Sequence, residues 1–210
     1  MPKRQAPEIS LRKQPKQARS ADLVTVILDA AVQVLEAEGA QRFTTARVAD
    51  RAGVSVGSLY QYFPNKAAIL FRLQLEEWQQ TTDMLRAILK DPSIPPMSRL
   101  RNLVHAFIRS ECEEAAVRGA LSDAAPLYRD APETQAARAR GQEIYRVFIA
   151  EILPGFGEER RETVQEIVTA SLSELGRRFS EQSRTDREIR DYSDALADML
   201  VAYLESLNSF

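Results

Sequence analysis

Cysteine and histidine are almost absent from this sequence of 210 residues, which contains one of each. A single thiol excludes an intramolecular disulfide framework, and one cysteine with one histidine cannot supply the ligand set of a zinc site. His105 and Cys112 lie seven positions apart, about 10.5 Å along a helix axis, which is too far for a nucleophile and its base. We therefore expect neither a metal nor a cofactor, and nothing indicates an oxidising compartment.

Long apolar runs are also missing. No stretch of about 18 uncharged apolar residues occurs, and the basic N-terminal segment lacks the apolar region that a signal peptide needs. These absences predict a cytoplasmic protein without a membrane partner. Common catalytic motifs are missing too, since the sequence has no GxSxG elbow, no GxxxxGKS/T loop, no HExxH and no GxGxxG. Acidic residues are plentiful, so a helical enzyme that uses carboxylates alone stays open as an alternative.

The net charge of −2 hides an excess of basic residues at the N-terminal end. Residues 1–66 contain ten Lys and Arg against six Asp and Glu, whereas residues 67–210 contain 18 against 24. A basic end on an acidic body indicates a polyanionic partner, although an ordinary solvated surface would produce the same skew. Residues 1–19 hold six of the basic residues and three prolines without apolar periodicity, which predicts a flexible basic arm.

Apolar residues repeat at helical spacing after this arm, and breaking residues divide the next region into three short helices followed by a long one. Gly53 is expected to end the second helix, and the third is predicted over residues 56–63. Ala49, Gly53 and Leu59 have the spacing of a helix-turn-helix, which needs a small residue where the helices approach, a glycine in the turn and an apolar plug. Tight helical turns of this kind also occur in proteins that never touch DNA.

Glycine at position 57 is unusual inside a short helix, because it costs about 1 kcal/mol relative to alanine. We interpret it as a position where another molecule, such as a DNA strand, approaches the backbone. In a helix-turn-helix the start of the second helix meets base edges, while hydroxyl and basic groups hold phosphates. Packing or solvation would also explain the tyrosines and the lysine. The residues with this spacing are Ser55, Val56, Gly57, Ser58, Tyr60, Gln61, Tyr62 and Lys66.

The run TTARVADRAGVSVGSLYQYFPNKAAIL, at the centre of residues 23–70, resembles the DNA-binding domain of the TetR family of bacterial transcriptional repressors, which includes TetR/AcrR-like proteins. The resemblance lies in a glycine turn, an LYxYF core, a proline breaker, an asparagine and a lysine that opens a long helix. It covers about the first quarter of the chain. By position, it implies phosphate contacts at Thr45 and Ser58, base contacts at Val56 and Gly57, and backbone contacts at Tyr60, Tyr62 and Lys66.

The resemblance also implies an all-α homodimer, in which a three-helix N-terminal domain binds a double-stranded DNA operator and a larger C-terminal domain binds a small-molecule effector. The corresponding division of the chain is a flexible basic arm at 1–19, a helix-turn-helix domain at 20–66 and a ligand-binding and dimerisation domain at 67–210. Val56 stands where several relatives carry a polar base reader. Direct base readout is therefore expected to be sparse, with help from the arm, from Gln61 or from DNA shape.

The last two predicted helices, at about residues 158–181 and 186–209, carry apolar stripes. Such stripes either close an intramolecular core or form a two-fold four-helix contact between two subunits. We interpret them as the dimer contact, because the DNA-binding unit resembles that of a dimeric family. The predicted interface residues are Val168, Leu172, Leu175, Phe179, Leu196, Leu200, Tyr203 and Leu204.

The middle helices, predicted at about residues 66–90, 98–116 and 132–153, interleave apolar residues with a few polar ones, as the wall of an effector pocket would. Most of these side chains also suit a plain core, and a lone histidine is more often structural than ligand-binding. The candidate effector contacts are Trp78, Leu85, Leu103, His105, Phe107, Ile108, Cys112, Tyr128, Tyr145, Phe148 and Ile149.

The resemblance to the TetR family, together with these patterns, implies a ligand-responsive DNA-binding regulator of the bacterial cytoplasm, bound to the nucleoid at its operator. It is expected to be a repressor that holds a palindromic operator as a dimer and is released by a small, largely apolar molecule. A helical scaffold that binds only protein would explain the amphipathic helices, but it gives no purpose to Gly57 or to the basic arm.

Overall fold

The computed structural model describes residues 8–12, 18–128 and 131–208, and within these ranges the secondary structure is entirely helical, as the sequence predicts. Apart from residues 8–12, 18 and 19, the predicted basic arm lies outside the described residues. The helices are α1 (Ala18–Arg42), α2 (Thr45–Arg51), α3 (Val56–Tyr60), α4 (Lys66–Leu89), α5 (Pro96–Glu113), α6 (Ala115–Ala124), a 3-10 turn (Ala125–Leu127), α7 (Pro132–Ile152), α8 (Glu158–Ser180) and α9 (Asp186–Asn208).

Two predicted helices differ from the observed ones. The helix expected at 98–116 is two helices, because Glu114 leaves the helical region with φ −107° and ψ 13°, and α6 then continues to Ala124. The third helix, expected at 56–63, ends at Tyr60. The amides of Gln61 and Tyr62 bond to carbonyls only three residues back, which tightens the last turn and stops the α-helix.

The described residues up to Glu77 form one compact unit with the described residues of the segment 116–136. Its core joins apolar side chains of α1 to α4 with Leu121 and other residues of α6. Tyr128 belongs to this core, where its ring centroid lies 5.3 Å from that of Phe71. Its hydroxyl donates to the Leu121 carbonyl at 3.1 Å, and Thr134 Oγ1 donates to the Tyr128 carbonyl at 2.8 Å. Tyr128 is therefore a packing residue of this unit.

Residues 78–115 and 137–208 form a second compact unit. Here α5 packs against both α8 and α9 around a core to which α4 and α7 also contribute. Gly176 permits the close contact between α8 and α5, since a Cβ atom at this position would lie 3.1 Å from Cε1 of Phe107. The amphipathic helices of this region thus build one helical bundle.

The two units do not follow the predicted domain bounds, because the segment 116–136 belongs to the first unit and α4 contributes to both. As functional domains, the predicted bounds at 20–66 and 67–210 stay a prediction. Within the described part of the chain, no helix combines the length and the apolar character that crossing a membrane requires.

Candidate nucleic-acid interface

The turn between α2 and α3 has the geometry that a helix-turn-helix requires. Gly53 adopts φ 66°, a left-handed conformation that favours glycine. The amide of Val54 donates to the carbonyl of Ala49 at 3.0 Å, and both Ala49 and Leu59 are buried. The small residue, the glycine and the apolar plug therefore occupy the positions that their spacing predicts.

Side-chain hydroxyls cap both short helices. The Thr44 hydroxyl accepts a hydrogen bond from the Arg47 amide at 3.3 Å, and the Ser55 hydroxyl accepts one from the Ser58 amide at 3.0 Å. Ser55 Oγ and Ser58 Oγ also lie 2.8 Å apart and share a hydrogen bond. Two of the predicted DNA contacts are thus held as a pair at the start of α3.

Thr45 and Tyr60 form a second pair. Thr45 Oγ1 lies 3.1 Å from Tyr60 Oη, so the first turn of α2 is joined to the end of α3. The Tyr60 side chain remains 39% exposed, and Val56 and Gln61 are exposed as well. The structure therefore brings together two hydroxyl pairs and exposed side chains from both helices of the motif.

Gly57 has no intramolecular reason to be glycine. A Cβ atom built on it would meet only Ser55 Oγ, at 3.8 Å, which is an ordinary contact distance. Its φ is not positive, since among the described residues only Gly39 and Gly53 have positive φ. The fold would accept a larger residue at this exposed position, so the glycine is explained better by something outside the unit.

Tyr62 differs from the other predicted DNA contacts. Its side chain is only 5% exposed and belongs to the core of the first unit, so the packing interpretation holds for it. Packing was the alternative that the sequence left open for this tyrosine, which follows the end of α3 at Tyr60. Tyr62 is therefore not an exposed contact in this structure.

Lys66 is exposed at the first position of α4, whose start is capped by Asn65 Oδ1 accepting from the Ala68 amide at 3.0 Å. Arg47, by contrast, is paired with Glu38 and donates to the Arg42 carbonyl at 3.0 Å. Within the described residues, no side-chain partner binds Lys66. Its charge is therefore available to a ligand, whereas that of Arg47 is committed within the fold.

Most predicted effector contacts are packed in the core of the second unit. These buried residues are Leu85, Leu103, Phe107, Ile108, Tyr145, Phe148 and Ile149. Burial also raises the pKa of the Tyr145 hydroxyl and of the Cys112 thiol, so both stay protonated near neutral pH. Trp78 is half-buried under the Arg138 guanidinium, 5.4 Å from its ring centroid.

His105 is half-buried, and its Nε2 lies 3.0 Å from Oδ1 of Asp194 on α9. This pair crosses from α5 to α9 inside one unit. The pair gives His105 a partner within the fold, as expected for a structural histidine rather than a ligand-binding one. Tyr128, the remaining candidate, is held in the core of the other unit.

The second unit contains a cleft of about 410 Å³ at the end of α4, the start of α5 and the C-terminal half of α7. Arg99 is buried at this cleft, where its Nη atoms bond to Glu151 and to the Leu89 carbonyl, while its Nε lacks a partner. The residues that line this cleft are Leu89, Lys90, Pro92, Arg99, Ile144, Val147, Phe148 and Glu151. Of these, only Phe148 is among the predicted effector contacts.

Five of the eight residues predicted to form a dimer contact are buried inside a single protomer, namely Val168, Leu172, Leu196, Leu200 and Leu204. Leu175, Phe179 and Tyr203 are half-buried, and Phe179 stacks on Tyr192 with ring centroids 3.9 Å apart. The stripes therefore close the intramolecular core, which was the alternative left open by their pattern. Ile167 and Met199 belong to the same predicted stripes but not to the predicted interface residues, and they are 42% and 49% exposed.

Comparison with known families gives two matches. The family of bacterial regulatory proteins called the tetR family matches residues 27–73, and the tetracyclin repressor-like C-terminal domain matches residues 95–207, more than half of the chain. The first match contains the helix-turn-helix described above. The second contains α5 to α8 and nearly all of α9.

Curated relatives match over shorter stretches. The nucleoid occlusion factor SlmA of Vibrio campbellii is 39% identical over 85 residues, which are 39% of this chain and 42% of that protein. The fatty acid metabolism regulator protein of Bacillus subtilis is 35% identical over 65 residues, 31% of this chain and 34% of that protein. The matches thus span less than half the length of these relatives.

Solved structures resemble the chain over most of its length. FadR, a fatty acid degradation regulator from Bacillus halodurans, superposes with a TM-score of 0.67 at 17% identity, covering 90% of this chain and 97% of its own. FadR from Bacillus subtilis in complex with stearoyl-CoA gives 0.67 at 17% identity, with 84% and 97% covered. At this identity the likeness concerns the fold. The chain belongs to the tetR family of bacterial transcriptional regulators, which are not enzymes, with an N-terminal DNA-binding domain and a helical C-terminal domain.

Proposed function

We propose that the chain is a repressor of the bacterial cytoplasm that binds a palindromic operator as a homodimer and is released by a small, largely apolar molecule. The observation that carries this proposal is the exposed surface at α2 and α3. Two hydroxyl pairs, Thr45 with Tyr60 and Ser55 with Ser58, surround a glycine that the fold itself does not need.

Each part of this surface suits one part of a DNA duplex. Hydroxyl groups donate to phosphate oxygens and set the register of the protein, whereas base edges carry the sequence information. Gly57 would let the DNA approach the backbone of α3, and Val56, exposed beside it, suits the methyl group of thymine. Gln61 is the exposed amide side chain near the end of α3 that could form hydrogen bonds to a base.

A two-fold dimer would supply the second half-site reader of a palindrome. Support comes from the apolar side chains of Ile167 on α8 and Met199 on α9, which stay exposed although neighbouring stripe residues are buried. In a two-fold contact the same patch serves both subunits, so each exposed apolar residue buries area twice. We assign the dimer contact to the outward face of these two helices.

The effector would occupy the cleft beside Leu89 and Phe148. Its volume of about 410 Å³ lies within the range of small-molecule sites, and its walls are mostly apolar with a few polar groups. Bacillus subtilis FadR, which shares the fold, was solved in complex with stearoyl-CoA, an example of an apolar chain held by this architecture.

Helix α4 offers the route from effector to DNA, because it begins at the proposed phosphate contact Lys66 and ends at Leu89, which lines the cleft. A ligand that weakens operator binding tenfold to a hundredfold needs a coupling free energy of about 1.4 to 2.7 kcal/mol. Reciprocity then requires the operator to weaken effector binding by the same factor.

The test of DNA binding starts from a random pool of duplexes and the full chain. We expect enrichment of sequences with two-fold symmetry, because two identical heads read them. In fluorescence anisotropy titrations, Lys66→Ala should weaken binding to all sequences about equally and reduce the slope of log K against log salt by about 0.9. Arg160→Ala, which removes an exposed charge of the second unit, is the matched control. Failure of the pool to converge on any sequence would end the proposal.

The effector site is tested by filling the cleft. Val147 lines it and is exposed, so Val147→Trp adds volume there without disturbing the core, and Val147→Thr is the matched control. A library of apolar metabolites and drugs is screened by thermal shift, and each hit is titrated with and without the selected duplex. We expect Val147→Trp to lose the hit and keep DNA binding. Equal affinity of a hit with and without DNA would contradict the coupling.

A further inference from the structure

Residues 8–12 lie against the loop between α3 and α4 and are held there by two hydrogen bonds. The amide of Arg12 donates to the Tyr62 carbonyl at 2.9 Å. Asn65 Nδ2 donates to the Glu8 carbonyl at 2.8 Å, while the same side chain caps α4 through its oxygen. Both bonds involve backbone atoms of the segment, so they fix its path without using its side chains.

The side chains of this segment alternate. Ile9 and Leu11 are half-buried and pack against the core of the first unit, whereas Glu8, Ser10 and Arg12 are exposed. An extended chain points successive side chains to opposite sides. The segment is therefore sorted into an anchoring face and a solvent face, which a flexible arm would not be.

Arg12 is available for a ligand. It is exposed, and within the described residues its guanidinium has no ion pair or hydrogen bond. Its amide donates a hydrogen bond to the carbonyl of Tyr62. Tyr62 follows Gln61 and precedes the exposed Lys66 in the sequence, and both of these are proposed DNA contacts. The segment thus brings an uncommitted positive charge to the loop that carries the proposed DNA contacts.

We propose that residues 8–12 are an anchored clip that presents Arg12 as a phosphate contact of the DNA-binding surface. This rests on the proposed DNA-binding function and adds to it a residue that motif spacing does not assign. Tyr62, which the motif does assign, is only 5% exposed, and Arg12 adds an exposed positive charge at the same loop. A guanidinium in a fixed place can bond two phosphate oxygens at once.

The side-chain test compares Arg12→Ala and Arg12→Lys with wild type in anisotropy titrations of the full chain on its selected duplex. Since the anchoring bond uses the backbone amide, Arg12→Ala removes only the side chain. It should reduce the salt slope by about 0.9 and weaken binding about five- to tenfold at about 0.1 M salt, equally for specific and random duplexes. Arg12→Lys should restore the slope, because it restores the charge.

The anchoring test keeps the charge and removes the docking. The double variant Ile9→Ser/Leu11→Ser loses the apolar contacts but leaves Arg12 in the chain. If the clip positions Arg12, this variant should lose the same salt slope as Arg12→Ala, and hydrogen exchange of the Arg12 amide should accelerate. A slope equal to wild type would show that the arm acts as a flexible cation, and the clip would be rejected.

Failure of this inference differs from failure of the proposed function. If Lys66→Ala reduces the salt slope while Arg12→Ala behaves like the Arg160→Ala control, DNA binding stands and the Arg12 contact is rejected. If the wild-type chain selects no duplex at all, both are rejected. If Arg12→Ala weakens only specific binding and leaves the slope intact, Arg12 contacts a base edge, and the phosphate role is overturned.

Discussion

The two compact units differ in where their predicted functional side chains lie. In the first unit, Tyr60 is 39% exposed and paired with Thr45 at the surface, as a ligand contact should be. In the second unit, Leu200 and Leu204, predicted to face a second subunit, are 2% and 0% exposed inside the protomer. Motif spacing thus selected side chains that are exposed in the first unit, whereas the apolar stripe selected side chains that are buried within a single protomer in the second.

This difference arises from the sequence separation of the residues that form each site. The helix-turn-helix residues lie within 22 positions of one another, so a glycine turn and two short helices fix their geometry locally. An apolar stripe on a long helix states only that one face is buried, and a core and a subunit interface bury it equally well. Periodicity therefore identifies the face but not its partner.

The largest expected effect comes from charging the buried stripe. Leu200→Glu with Leu204→Glu would place unpaired carboxylates in the core of the second unit, at a cost of several kcal/mol. We expect loss of the cooperative thermal transition of this unit in circular dichroism, together with insolubility.

The matched control charges the outward face with Ile167→Glu and Met199→Glu. Because these side chains are exposed in the protomer, the variant should stay folded but become monomeric by light scattering. A folded monomer from the Leu200 and Leu204 variant would restore the first interpretation of the stripe. A dimeric outward-face variant would remove our assignment of the contact.

The next largest effect concerns Gly57, where fold and function should separate. Gly57→Ala adds a Cβ that makes only an ordinary contact with Ser55 Oγ, and it improves helix propensity by up to about 1 kcal/mol, so the melting temperature should not fall. Specific DNA binding should nevertheless weaken at least tenfold, and Gly57→Leu should abolish it by blocking the approach of the DNA. Thermal melts and anisotropy titrations on the same samples measure both. Unchanged DNA affinity in both variants would leave the glycine unexplained.

A smaller effect separates the two tyrosines of the LYxYF run. Tyr60→Phe removes an exposed hydroxyl that can reach a phosphate. Operator affinity should fall about fivefold, because the loss of one hydrogen bond costs about 1 kcal/mol. Tyr62→Phe should change it less than twofold, because that side chain is buried. The two variants differ from wild type by one oxygen each, which makes them matched controls. Equal losses would mean that Tyr62 turns outward on DNA.

The features that the sequence predicted are those that depend on neighbouring residues, and the features that it missed depend on distant ones. Most of the helices and the Gly53 turn were predicted, because each depends on residues a few positions away. The burial of Tyr62 was only the alternative interpretation of that residue, and the docking of residues 8–12 was not predicted. The latter depends on a bond between Asn65 and Glu8 across 57 positions, for which no local pattern exists.

In the C-terminal half the missing information was also long-range. The segment 116–136 joins the core of the first unit through Tyr128 and Phe71, so a residue proposed for an effector pocket is used elsewhere. Arg99, which no sequence pattern indicated, is buried and pairs with Glu151, which lies 52 positions away on α7. Side chains that meet only through tertiary packing carry no signal in periodicity.

The smallest expected effect tests a local signal in the second unit, the capping box at the start of α9. Glu188 accepts hydrogen bonds from the Thr185 amide and hydroxyl, both at 2.8 Å, and these bonds lower the pKa of its carboxyl. A lowered pKa stabilises the folded state above the unfolded pKa of about 4.3, and this contribution is lost as the pH falls through the folded value. Glu188→Ala should therefore lower the melting temperature slightly at neutral pH, and the difference from wild type should shrink in acid.

Glu188→Gln is the control for charge, because a glutamine can keep the capping bond without titrating. Its melting temperature should stay close to that of wild type at neutral pH, and it should lack the part of the pH dependence that belongs to this carboxyl. The side chain is solvent-exposed, so the effect must stay well below that of the Leu200 and Leu204 variant. A difference between Glu188→Ala and wild type that persists unchanged in acid would assign the stabilisation to packing rather than to the charged cap. A difference as large as that of the buried stripe would overturn the contrast, because a local cap would then hold the second unit together as firmly as its core.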